Sequence, residues 1–128
     1  CGVVRLPRQL QVGRRLHIVA CPRLLSLPSP LFAGEAMAVH ECQALSRLPA
    51  VLRTSSLEVR RCPNVRRLPN CGPNFRGRLK LVDLPYVSSI SSFRQAHNLF
   101  LSGLARLRHL PSGMSNLDQI IIHDCASL

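Results

Sequence analysis

The chain has 128 residues, 46% of them hydrophobic and 18% charged, which is one domain's worth and excludes a disordered polymer. Basic residues outnumber acidic ones 17 to 6, giving a net charge of +11, and every basic residue except Lys80 is Arg. With no Trp and one Tyr, the core must be packed from Leu, Val and Ile, which excludes an interior built on bulky rings and suggests many small, similar layers.

The first recognisable segment, VVRLPRQL at 3–10, reads as the later part of a repeat whose beginning is missing. Full units follow, starting at Leu16, Met37, Leu57, Leu79, Leu99 and Ile120, with steps of 21, 20, 22, 20 and 21 residues. Each reads apolar-x-apolar-x-x-Cys/Leu-x-x-apolar-x-x-Leu/Ile, as in LHIVACPRLLSLP, MAVHECQALSRLP and LEVRRCPNVRRLP. The opening alternation has a period of two and predicts a short strand with one buried face. Ile18, Val39, Val59, Leu81, Leu101 and Ile122 are expected inside, followed by Leu24, Leu27, Leu45, Leu48, Val65, Leu68, Leu107 and Leu110. Pro28, Pro49, Pro69 and Pro111 forbid a long helix after the closing Leu, so the return leg is expected to be extended or 3₁₀-like.

This spacing resembles the leucine-rich repeat, over roughly residues 3–128. The resemblance implies a single domain over 1–128: an α/β-type solenoid of about six coils, forming a right-handed arc with a parallel concave sheet. Because both ends fall inside a repeat, the chain reads as a fragment of a longer protein. The short period and the endings LPSPL at 27–31 and LPAVL at 48–52 resemble the LPX-type repeats of bacterial type III effectors. Several such effectors join the solenoid to a ubiquitin-ligase domain. The Cys-x-x-Leu spacing instead looks like the repeats of plant intracellular immune receptors, which tend to be longer.

Cys21, Cys42, Cys62 and Cys125 share one repeat position, where Leu84 and Leu104 replace them in the remaining units. A position that accepts Leu does not require sulfur chemistry, so these thiols read as small buried hydrophobes. No Cys-x-x-Cys pair suggests zinc, no cofactor is expected, and free thiols fit a reducing intracellular compartment. For an effector that compartment would be the host cytoplasm after secretion; otherwise it would be the cell's own cytoplasm. Cys71, in the turn PNCGPN, is the thiol expected to be exposed. His40-Glu41-Cys42 and His123-Asp124-Cys125 bring imidazole near thiol, but strand alternation turns Cys inward and His outward, so no nucleophile is assigned. Without a phosphate loop or a carboxylate pair either, no enzymatic activity is expected of this chain.

The outward strand positions are free of packing duty and are expected to carry recognition. They include His17, Val19, Ala20, Ala38, His40, Glu41, Glu58, Arg60, Arg61, Lys80, Val82, Asp83, Phe100, Ser102, Ile121, His123 and Asp124. The binding site is expected on His40, Glu41, Glu58, Arg60, Arg61, Lys80, Asp83, Phe100, Ile121 and His123, centred on Arg60, Arg61 and Lys80 with Phe100 as apolar anchor. The implied partner is a protein with an acidic surface rather than a small-molecule substrate. Nucleic acid is disfavoured because the basic cluster lacks interleaved aromatics for base stacking, and no stretch is long and apolar enough to cross a bilayer. A polyanion-binding basic solenoid is the alternative, with Arg-rich codon usage as the bland explanation of the charge.

Overall fold

A computed structural model of the chain describes residues 6–7, 10–69, 75–91, 93–114 and 117–128. Its strands in chain order are β1 (Gln11–Val12), β2 (Arg15–Val19), β3 (Leu31–Ala33), β4 (Ala36–His40), β5 (Leu52–Arg53), β6 (Leu57–Arg60), β7 (Arg78–Val82), β8 (Asn98–Ser102) and β9 (Gln119–His123). Six of them, in the order β2-β4-β6-β7-β8-β9, form one parallel sheet. The molecule is therefore a parallel β-solenoid of about five turns. Leu16, Met37, Leu57, Leu79, Leu99 and Ile120 are aligned rung upon rung, so the unit starts read from sequence are the register of the sheet.

Each strand ends at a corner with the same backbone form. Ala20, Glu41, Arg61, Asp83, Gly103 and Asp124 all have φ between 52° and 68°, the left-handed region. The corner N–H continues the ladder by donating to the last strand carbonyl of the next turn: Ala20 to His40, Glu41 to Arg60, Arg61 to Val82, Asp83 to Ser102 and Gly103 to His123. One residue later the side chain enters the core. Where it is Cys, its thiol donates to the carbonyl two residues back, at 3.5 Å for Cys21, 3.4 Å for Cys42 and Cys125, and 3.3 Å for Cys62. A single tight turn follows, closed by Leu24, Leu45, Val65, Val87, Leu107 and Leu128 donating to the carbonyl three residues before. Pro22, Pro63 and Pro85 occupy the second position of that turn, where a fixed φ is an advantage.

The return legs take the extended one of the two forms expected for them, and the 3₁₀ form is not seen among the described residues. The described residues form no helix, neither α nor 3₁₀, so the α/β description does not hold for them. Pro after the closing Leu prevents continuous helical bonding, and the chain runs extended instead. In the first turns that extension is regular enough to build a second parallel sheet, β1-β3-β5. In the fourth turn two consecutive single turns replace it, with Phe93 donating to Ile90 and Ala96 to Phe93.

The core is a continuous column between the two walls. Ile18, Leu24, Leu27, Val39, Leu45, Val59, Val65, Leu81, Leu101 and Leu107 are buried as expected, with Cys21, Cys42 and Cys62 among them. Leu48, Leu68 and Leu110 are only partly buried at its edge. Ile122 is 39% exposed, because β9 is covered on one side only. Ala38, expected outward, is buried: its methyl lies between His17 and Glu58 on the neighbouring strands and is too short to emerge. Phe75 and Phe93, on the legs of two successive turns, are buried edge to face with centroids 5.1 Å apart.

The shared corner conformation predicts opposite effects for opposite substitutions. Gly103→Ala places a methyl in the left-handed region 2.5 Å from Asp83 Oδ1 and is expected to cost about 1–2 kcal/mol. Ala20→Gly relieves the same strain at φ 52° and is expected to stabilise by up to about 1 kcal/mol after the loss in chain entropy. Urea denaturation midpoints of the two variants check both signs.

Candidate functional site

The outer face of the six-stranded sheet carries the side chains that point away from the core. On β6, Glu58 lies opposite Ala38 on one side and Lys80 on the other. Its carboxylate takes a hydrogen bond from His40 Nε2 at 2.7 Å and pairs with Lys80 Nζ at 3.4 Å. The Lys80 ammonium in turn sits 5.0 Å from the centroid of the Phe100 ring, a cation–π contact. Phe100 is flanked by Ile121 in register and by His123, whose ring centroid is 6.2 Å away. A single row, His40–Glu58–Lys80–Phe100–His123, thus crosses five strands. Partial burial opposes ionisation of Glu58, but the His40 hydrogen bond and the charges of His40 and Lys80 outweigh it and hold the carboxyl below its ordinary range.

A second row runs along the corners. The Arg61 guanidinium stands between Glu41, at 3.5 Å, and Asp83, at 3.7 Å. The left-handed corner aims these three side chains along one edge of the sheet, away from the first row. Arg60 remains on the sheet face beside His40 and Val82, half-buried, and has no ionic partner among the described residues. Of the expected centre, Lys80 and Arg61 are therefore already neutralised by carboxylates, and Arg60 carries the unpaired charge.

The His–Cys pairs are not brought together as a catalytic couple. His40 is committed to Glu58, and the Cys42 thiol points into the core, bonded to a backbone carbonyl. Desolvation pushes the Cys62 thiol up to about 11 and raises that of Cys21. Cys1 and Cys71, the thiol expected to be exposed, lie outside the described residues. Among the described residues no cluster of His, Cys, Asp and Glu could hold a metal ion, and no helix is long and apolar enough to cross a membrane.

Sequence reasoning missed an arrangement on the descending legs. Tyr86 lies in the turn after Leu84, with the Arg66 guanidinium 5.3 Å from its ring centroid and that of Arg106 at 4.7 Å. The signal was present in the repeat alignment, since Tyr86 and Arg106 share one offset and Arg66 lies two residues beyond it in the preceding unit. Compared with known protein families, with curated proteins and with solved structures, the chain gives no match.

Two outcomes follow from this geometry. The ordinary carboxyl value for Glu58 is 4.5 and its folded value lies below that, so its contribution is present above 4.5 and is lost as pH falls through the lower folded value. Glu58→Gln is accordingly expected to flatten the acid limb of the stability–pH curve below 4.5, measured by chemical denaturation of both proteins. Labelling of the native protein with a maleimide should modify Cys125, which is half-buried, before Cys42 and Cys62, which are 0% exposed; the order is read by mass spectrometry.

Proposed function

We propose that this chain is a protein-recognition module whose partner seats on the outer face of the six-stranded sheet. The observation that carries this reading is the linked row from His40 to His123. Five side chains on five parallel strands are fixed by one another rather than by the core. Groups held in place before binding lose little entropy when a partner arrives. The row also combines what interface centres use: an aromatic ring, a cation and polar atoms within one patch. Arg60, unpaired beside it, supplies steering charge for an acidic partner surface, and Ile121 extends the apolar part around Phe100.

The likeness of the repeat to the LPX type supports a finer reading. The module then selects a host protein as substrate for a ubiquitin-ligase domain carried elsewhere in a bacterial effector. The stacked Cys21, Cys42 and Cys62 support a second reading, a ligand-sensing segment of a plant intracellular immune receptor.

A photo-crosslinking residue placed at Ile121, and separately at Ser88 on the descending leg, tests the surface in cells of the source. A single saturable protein adduct is expected from position 121 and not from 88, and Arg60→Glu combined with Phe100→Ala is expected to abolish it at least tenfold. Equal adducts from both positions, or an adduct indifferent to the double substitution, would place recognition elsewhere.

A further inference from the structure

The charges of this protein are sorted by face. All six acidic residues lie in a strand, at its corner or immediately before it: Glu35, Glu41, Glu58, Asp83, Asp118 and Asp124. The legs that descend from the corners contain none, yet they carry Arg23, Arg47, Arg66, Arg67, Arg106 and Arg108. Codon usage enriches Arg everywhere; it does not remove carboxylates from one wall of every turn. Within this wall, Arg47, Arg66 and Arg67 line a cleft of about 780 Å³, together with Ser46, Asn64 and the apolar edge of Leu48, Pro49 and Leu68.

Arg47 and Arg67 hold the same repeat position on adjacent turns, each five residues after its Cys. Arg47 is bridged to Ser26 on the preceding turn, and Arg67 takes the equivalent place on the following one, so two like charges face the same wall one turn apart. Neither has a carboxylate partner among the described residues, whereas Arg61 at its corner has two. The Arg66 guanidinium also lies 5.3 Å from the centroid of the Tyr86 ring, which has that of Arg106 at 4.7 Å. The three Arg residues are exposed and line one cleft, and no ion pair to any of them is formed among the described residues.

We propose that this cleft binds a phosphate monoester dianion, held by Arg47, Arg66 and Arg67. A guanidinium offers two parallel N–H donors, and one carboxylate satisfies one such fork. Three forks around one cleft require a group with more oxygens and more charge. A monoester has three terminal oxygens and a charge of about −1.5 to −2 at neutral pH, while a diester has a single charge. Ser46 and Asn64 offer further polar contacts, and the Leu48, Pro49 and Leu68 edge receives the carbon skeleton that bears the phosphate. The site is on a different wall from the sheet face proposed for protein recognition, and stands without it.

The test is titration of the full chain, followed by calorimetry, with phenyl phosphate, inorganic phosphate, dimethyl phosphate and a phosphoserine peptide alongside its unphosphorylated form. Binding of the monoesters at least tenfold tighter than dimethyl phosphate is expected. Tighter binding of the phosphopeptide than of phenyl phosphate assigns the source to a modified protein; the reverse assigns it to a small phosphorylated molecule. Arg47→Gln and Arg67→Gln should each weaken the monoester at least tenfold, and Arg67→Lys should also weaken it, because the charge remains but the fork is gone. Arg94→Gln, on another acid-free leg, and Arg60→Glu, on the sheet face, should leave it unchanged. Relief of repulsion should also raise the Tm of ligand-free Arg67→Gln above that of the parent, which separates loss of binding from loss of fold. Equal affinity for monoester and diester, full binding by Arg67→Lys, or equal loss in Arg94→Gln would overturn the assignment, as would tighter binding of an oligonucleotide or of anionic phospholipid vesicles, titrated in the same way, than of every monoester.

Discussion

The geometry of this protein depends on one bend. At the end of each long strand the backbone passes through the left-handed region for a single residue, and at five of the six places that residue carries a side chain. Each such residue opposes the fold by about 1–2 kcal/mol of local strain. What offsets it is that the same N–H that turns the corner still finds a carbonyl on the next turn, so the ladder does not stop where the strand does. The bend also decides where everything else points. It drives the following Cys or Leu into the core and sets Glu41, Arg61 and Asp83 along a common edge. It also begins the leg on which Arg47, Arg66 and Arg67 are displayed. A solenoid turn cannot bury its own apolar face, so the strain at each corner is tolerated only because a neighbour is stacked on it.

Cysteine at the next position is explained by the same bend. A small side chain fits beneath the corner, and the thiol can share the carbonyl that already accepts from the preceding turn, as the Cys42 thiol does at His40. Leu84 and Leu104 fill the position with more carbon and no donor. The two solutions share one column, three Cys followed by two Leu and a last Cys, which is why the thiols behave as packing groups rather than as reactive ones.

Much of this was legible in the sequence, for a definite physical reason. A two-residue alternation repeated every 20 to 22 positions can satisfy burial only in one register, so the pairing of Leu16 with Met37, Leu57, Leu79, Leu99 and Ile120 followed from the pattern. The corner was not legible. Gly103, and more weakly Asp83 and Asp124, suit a left-handed residue, whereas Ala20, Glu41 and Arg61 do not, since their conformation is imposed by stacking rather than by intrinsic preference. The second sheet was missed because Leu31–Ala33 and Leu52–Arg53 are too short for alternation to register. At the candidate site the residues of the outward face were identifiable, but not their pairing. Arg61 lies 20 to 22 residues from each carboxylate that neutralises it, and only the rise of one turn brings them together.

The second sheet ends at Arg53, and its end divides the molecule mechanically. Up to that point two ladders on opposite walls tie each turn to the next, like a ladder with both rails in place. Beyond it, between β6 and β9, the described residues have one rail, and the opposite wall is held by side-chain packing around Phe75 and Phe93. Hydrogen bonds along a rail resist stretching, while packed rings yield by small shifts. The solenoid is therefore a stiff stem continued by a compliant spring. Lys80, Phe100 and His123 ride on the spring, which can open or tighten its pitch around whatever lies against the sheet. Arg47 and Arg67 lie on either side of the junction, where a change of pitch alters the separation of neighbouring turns most directly.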